Sequence, residues 1–469
     1  MKWNQTYFGL LITCLWGSFY LVSCANIIPP GGGPRDTIPP RLIGSMPKDS
    51  SLNVTTKNIV ITFDEYVELQ SASENLVIQP YPTNTPLVDY KLRNITVKLR
   101  DSLEKNTTYA INFGSAIKDV NEGNLAKELT FVFSTGNKID SNHYKGSVVL
   151  AESGKIDSTL IVVLHNNTHD TSILKNRPRY FTKLDGLGNF SFRFLPEGVF
   201  SAYVVPNDFT KKYDDSTKLF AFLKAPILIN KETRNDTLYA FQATKKIEKV
   251  AAPSSNNNKG NDRKTAEEKR LRYTANLENG IQDLLIPLQL TFNRKINTWD
   301  STKIVLYDTS FRPITGYTVN LDTSRTKVTL QFPWKEKTGY RIIIGKDAVK
   351  DTSGVSLLKA DSARFISKRE ADYGSFRFRF VNIDFSKHPV LQLIQDNRIV
   401  ESISLTTTDY IRKRYRPGDY EIRILLDLNN NGEWDPGNFK TKLQPELVKS
   451  FPKKITIRAD RDTDQRFVF

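Results

Sequence analysis

The residues from which metal and redox centres are usually built are scarce here: 2 Cys, 2 Met and 4 His in 469 residues. Such centres need soft or imidazole ligands in clusters, so this composition argues against a redox or metalloenzyme. Long apolar runs are also missing. The stretch Tyr7 to Tyr20 has 14 residues, short of the ~20 that cross a ~30 Å hydrocarbon core. Helical spacing is nearly absent, apart from a polar piece near Arg263 to Arg272. What the chain does have is 27 Phe, 19 Tyr and 39% hydrophobic residues, enough to build cores and exclude wholesale disorder. Its 67 Lys+Arg against 51 Asp+Glu give a net charge of +16, a balance that points to polyanions or anionic surfaces. At roughly 100–150 residues per domain, the length predicts three or four domains.

The apolar run follows Lys2 and ends in Leu21-Val22-Ser23-Cys24. A short apolar segment closed by small residues reads as a secretory signal. The last four residues resemble the lipobox of bacterial lipoproteins. That resemblance implies a signal peptide over 1–23, cleavage before Cys24, and lipid such as palmitate on the cysteine. Cys14 is then discarded, the mature chain has no disulfide, and the charge falls to +15 with Lys2. Residues 24–40 hold five prolines and Gly31-Gly32-Gly33, which make neither helix nor central strand and read as a tether. The glycines lack the Lys-Ser/Thr partner of a phosphate-binding loop.

From residue 41 the apolar period is two, as in Ile59-Val60-Ile61-Thr62-Phe63 and Phe376-Arg377-Phe378-Arg379-Phe380, and the body is expected to be all-β. Two internal repeats interleave. Thr62-Phe63-Asp64-Glu65 recurs 229 residues later as Thr291-Phe292-Asn293-Arg294. Pro196-Glu197-Gly198 before one strand recurs as Pro417-Gly418 before another, at an offset of 220 to 221. Such spacing predicts the order A-B-A-B. The stretch 245–272 is polar and charge-rich and reads as a linker.

Asp36-Thr-Ile-Pro-Pro40, Ile61-Thr-Phe-Asp-Glu65, Asn106-Thr-Thr-Tyr109 and Ser134-Thr-Gly136 resemble the bacterial Ig-like domain described in S-layer proteins. The B units, with their Pro-Gly-x-Tyr turn, are similar to prealbumin-like, carboxypeptidase-regulatory-type sandwiches. The whole chain resembles Ig-like lipoproteins of Bacteroidota. The resemblance implies Ig-like domains at 41–137 and, more divergent, 273–368. It implies prealbumin-like β-sandwiches at 140–244 and 372–469, outer-membrane anchoring, and no catalysis.

Asp427-Leu-Asn429-Asn-Asn431-Gly432-Glu433-Trp434-Asp435 is the sharpest chemical motif. Oxygen ligands at alternate positions, with a glycine turn, suit a hard cation such as Ca²⁺. A hairpin loop held by Asx-turns explains the same residues. The corresponding loop Asn207 to Asp215 carries Lys211 and Lys212 where ligands should stand, and is expected to bind no calcium. His165 and His169 follow a strand, so the i,i+4 geometry of a zinc helix is lost, and both are expected to be solvated in a loop. Asp64, Glu65 and Glu68 invite a glycosidase reading, yet no second motif converges on them. No Gly-x-Ser-x-Gly elbow occurs. The basic run Arg412 to Arg416 reads first as a solvated strand face, since exposed charges mostly serve solubility. As a binding surface it suggests anionic lipid or glycan more than nucleic acid, which an exported chain seldom meets. Asp-Ser/Thr triplets centred on Thr37, Ser102, Thr237 and Ser362 resemble an O-glycosylation signal.

These readings lead to a non-enzymatic outer-membrane lipoprotein, held by lipid on Cys24 and docking on envelope proteins. The alternative is a surface module binding glycan or another ligand, with calcium at Asp427, Asn429, Asn431 and Asp435. A hydrolase with accessory Ig domains is the remote third reading.

Overall fold

The computed structural model describes residues 35–127, 129–244 and 270–469. The segment read as a signal peptide, Cys24, most of the segment read as a tether and nearly all of the 245–272 segment read as a linker therefore lie outside the described residues. Within them the protein is almost wholly β, in short strands gathered around separate apolar cores. Among them no helix is long and apolar enough to cross a membrane.

The first body shows why alternation gives sheets. Asn58–Phe63 points Ile59, Ile61 and Phe63 inward, all fully buried, and Val60 and Thr62 outward. It lies in an antiparallel sheet ordered Leu42–Met46, Asn58–Phe63, Asn94–Lys98, Leu87–Lys91. A second sheet, ordered Thr130–Ser134, Thr108–Asn112, Val77–Gln79, covers the core that includes Phe113, Phe131 and Phe133. A small sheet of Val67–Leu69, Ile117–Asp119 and Leu125–Ala126 closes one end.

The third body lays its segments down in the same order. One sheet runs Tyr273–Ala275, Leu288–Phe292, Lys327–Gln331, Thr318–Leu321, and the other Ile281–Gln282, Asp361–Ser367, Gly339–Ile344, Ile304–Asp308. Leu271, inside the segment read as linker, is buried in this core, so the body begins before residue 273.

The second and fourth bodies also share a connectivity. In the second, Asn142–Leu150 sits between Asn189–Leu195 and a parallel Asp236–Ala240. In the fourth, Gly374–Val381 sits between Asp409–Tyr415 and a parallel Asp462–Val468. The opposing sheets run Tyr180–Lys183, Leu160–His165, Gly198–Pro206, Ala221–Phe222 and Arg398–Ser404, Pro389–Gln395, Gly418–Leu426, Leu447–Ser450.

Central strands depart from half-buried alternation. Gly198–Pro206 and Pro389–Gln395 each bury six residues in a row, and Leu160–His165 does so along its whole length. Every residue of Leu160–His165 is buried, which a continuous apolar run permits only when both faces are covered. Leu160, Val162 and Leu164 enter the second body's own core. Ile161 and Val163 face outward and join Tyr203, Phe220, Phe222 and Phe241 in a second cluster, which also takes Val77 from the first body and Phe439 from the fourth. The second body is therefore the hub. Tyr81 N–H donates to Arg179 O at 2.8 Å, and Arg179 grips Glu104 through two bonds of 2.5 and 2.6 Å. On the other side Val448 N–H donates to Ala151 O at 2.9 Å, and Gln444 Nε2 to Phe222 O at 3.0 Å.

Candidate functional site

The most elaborated loop of the described residues is the one that links Gly418–Leu426 to Leu447–Ser450. Those strands pair with Leu426 opposite Leu447, so the next residues out, Asp427 and Glu446, are brought face to face. Asp427 is almost fully buried. Its carboxylate accepts N–H bonds from Asn431 at 3.1 Å and Gly432 at 2.6 Å, while Asn430 and Gly432 adopt positive φ to close the turn. The Asn429 and Asn431 amides both donate to Asp435 Oδ2, at 2.6 and 2.8 Å. Glu446 accepts from Leu428 N–H at 2.7 Å and Asp435 N–H at 3.1 Å. Burial raises the Glu446 pKa above the usual carboxylate range, and the Asp427 and Asp435 carboxylates add to the rise against those N–H bonds.

All four residues proposed as calcium ligands thus share one loop, and here the loop satisfies them with its own N–H groups, as Asx-turns do. Among the described residues no group of three or more His, Cys, Asp or Glu is placed to hold a metal ion. Glu446 escaped the sequence reading because strand register, not spacing, brings it to Asp427.

The same loop is a clasp. Trp434 donates Nε1–H to Glu446 O at 2.7 Å. Phe439 inserts among Phe220, Phe222 and Tyr203 of the second body, at centroid separations of 5.1, 5.2 and 5.9 Å. Lys442 Nζ lies 4.2 Å from the Phe439 ring and pairs with Asp170. The corresponding loop of the second body carries an ammonium where a cation would sit. Lys211 Nζ donates to Asn207 Oδ1 at 2.9 Å, and Lys218 bridges Asp208 and Asp214 at 2.5 and 2.6 Å.

The remaining sequence candidates are dispersed. His165 is not the solvated loop histidine expected: the strand extends to pair it with Ser201, it is buried, and among the described residues its Nε2 has no partner. Burial pushes its pKa down to about 4. His169 is exposed. Glu68 pairs with Lys118 at 2.6 Å, and Asp64 accepts from Arg41 N–H at 2.8 Å. Burial raises the Glu65 pKa, helped by Asp119, Asp64, Asp36 and Glu122. At the matching place in the third body Arg294 pairs with buried Asp351 at 2.9 Å.

The arginines of the basic run are engaged in ion pairs. Arg412 holds Glu401 and Arg414 holds Glu370. Arg416 reaches Asp283 of the third body at 3.0 Å, where the Tyr373 hydroxyl also donates at 2.7 Å. It joins bodies rather than presenting a free cationic patch.

Residues 36–135 match the bacterial Ig-like domain family. No curated protein matches the chain. Among solved structures, the major pilin subunit BcpA of Bacillus cereus aligns at 10% identity and TM-score 0.17, over 70% of this chain and 99% of the pilin. The Bacillus anthracis TIE protein aligns at 9% identity and TM-score 0.16, over 100% of this chain and 79% of its own. The S-layer protein rSbsC aligns at 12% identity and TM-score 0.16, over 91% of this chain and 54% of its own.

Proposed function

We propose that this protein is a non-enzymatic envelope lipoprotein, anchored in the outer membrane through Cys24, that serves as a structural adaptor for other envelope proteins. In this reading Ig-like and prealbumin-like sandwiches alternate in the order A-B-A-B. The repeated sheet connectivity of bodies one and three, and of two and four, supports that order. The observation that carries the function is the hub. A strand buried on both faces fixes the first and fourth bodies against the second, while sheet edges stay open. Leu87–Lys91 ends its sheet with Leu87 and Tyr90 exposed, and an unpaired edge is a template for another chain.

A photo-crosslinking residue in place of Tyr90, used in intact cells, should capture a defined envelope protein, whereas one at exposed Leu187 should not. Equal labelling at both positions refutes the adaptor reading. Cys24→Ser should abolish palmitate incorporation and release the protein from membranes.

A second reading, a surface module that binds glycan, is favoured by a polar hollow beside the 427–446 loop. Binding of the intact protein to a glycan array, with and without chelator, tests it and its calcium dependence together.

A further inference from the structure

The hollow lies where the fourth body's outer sheet face meets the second body, with a volume near 540 Å³. Leu391 and Leu393 of Pro389–Gln395 point into the fourth body's core, so Val390, Gln392 and Ile394 face outward. Strand pairing sets Ser402, Gln392 and Arg423 side by side across three strands. The polar row runs from exposed Ser402 inward to Gln392 and Arg423, beside the second body, where polar groups are normally hydrogen-bonded.

Arg423 falls short of that: among the described residues its buried Nε has no partner, and another guanidinium nitrogen reaches Glu421 at a long 3.3 Å. Gln392, only 4% exposed, lies beside it. In a dry contact such groups would be selected against. They line a space instead, within the roughly 300–1,000 Å³ of small-ligand sites.

The lining indicates what would fit. Arg423 pairs with Glu421, and Glu152 and Glu433 add negative charge to the walls, so no surplus positive charge calls for a phosphate or sulfate. Donors and acceptors alternate across the floor, and Trp434 stands at one wall, offering an apolar indole surface. A ring that carries hydroxyls at its edge and C–H groups on its face matches both.

We propose that this cleft binds one or two units of a neutral saccharide, with Gln392 and Arg423 bonding its hydroxyls and Trp434 packing on its face. The proposal rests on the glycan reading above and assigns it a place. The 427–446 loop supplies Trp434, so holding that loop in shape also shapes the site.

The full-length mature protein would be titrated calorimetrically with a panel of neutral mono- and disaccharides, including glucose, galactose, mannose and N-acetylglucosamine forms. At least one should bind and quench tryptophan fluorescence. Gln392→Leu and Arg423→Gln should each weaken that binding at least tenfold. Ser402→Trp, placed at an exposed position where it cannot disturb a core, should block it with an unchanged melting temperature. If wild type binds and all three variants bind equally well, the assigned place is wrong and the glycan reading survives. If no saccharide in the panel or on the array binds, both are wrong.

Discussion

Replacing Phe439 by alanine would cut the clasp between the fourth and second bodies while leaving each body's own core intact. The ring is 8% exposed and lies within 6 Å of the rings of Phe220, Phe222 and Tyr203, all belonging to the other body. Burying ~150–250 Å² of aromatic surface at ~25 cal/mol/Å² contributes ~4–6 kcal/mol. Phe→Ala substitutions in cores cost about 3–5 kcal/mol, in agreement. Because Phe439 projects from a loop into a neighbouring body, that cost falls mainly on docking. A loss of ~4 kcal/mol lowers the docked-to-undocked ratio by roughly a thousandfold. Hydrogen exchange reads this directly. Amides of Ala221–Phe222 and Val448, the last donating to Ala151 O, should lose protection, while Ile59 and Ile61 keep theirs. The radius of gyration from solution scattering should rise. Unchanged protection at Val448 would refute the clasp, and loss of protection throughout the fourth body would show that Phe439 belongs to its core instead.

Further expectations concern charge. His165 takes a proton near pH 6.5 when unfolded but only near pH 4 when folded. Stability should therefore fall as pH drops from about 6.5 to about 4, by at most ~3 kcal/mol, and His165→Gln should flatten that limb of a stability–pH curve. Glu65→Arg should imitate the Arg294–Asp351 pair by facing Asp119, raising stability by about 1 kcal/mol; a lower melting temperature would contradict this. Burial alone would raise the Asp283 pKa, but Leu285 N–H, the Tyr373 hydroxyl, Arg416 and Lys368 hold it below the usual value. Its contribution is present above the unfolded pKa and lost as pH falls through the folded one. Asp283→Asn should cost about 2 kcal/mol and separate the third and fourth bodies in a denaturation profile.

The periodicity of Ile59-Val60-Ile61 or Phe376-Arg377-Phe378 is a local property, set by side chains alternating across a pleat, and strands are legible from it. The turn residues Gly198 and Gly418 are legible in the same local way, each at the opening of a strand. Contacts between bodies were not. Phe439 reads as one apolar residue in a polar loop, and nothing near it in sequence announces Phe220, over 200 positions away. Glu446 meets Asp427 only because Leu426 pairs with Leu447. His165 was misread because its strand runs one residue past the apolar stretch, into cover supplied by Tyr203 at 5.8 Å. The row of Ser402, Gln392 and Arg423 exists only once three strands are in register.

The return of the fourth body onto the second has a mechanical consequence. Beads on a string pass a pulling force through every bead in turn. Here a load entering from the amino-terminal side and leaving at the fourth body has a shorter route, through the Phe439 clasp, Val448 to Ala151, and the Lys155–Glu421 pair at 3.0 Å. The third body, tied to the fourth at Asp283, sits outside that route as slack. Tension would reach it only after the clasp opens, so the chain would yield in two steps, a stiff one and then a long one.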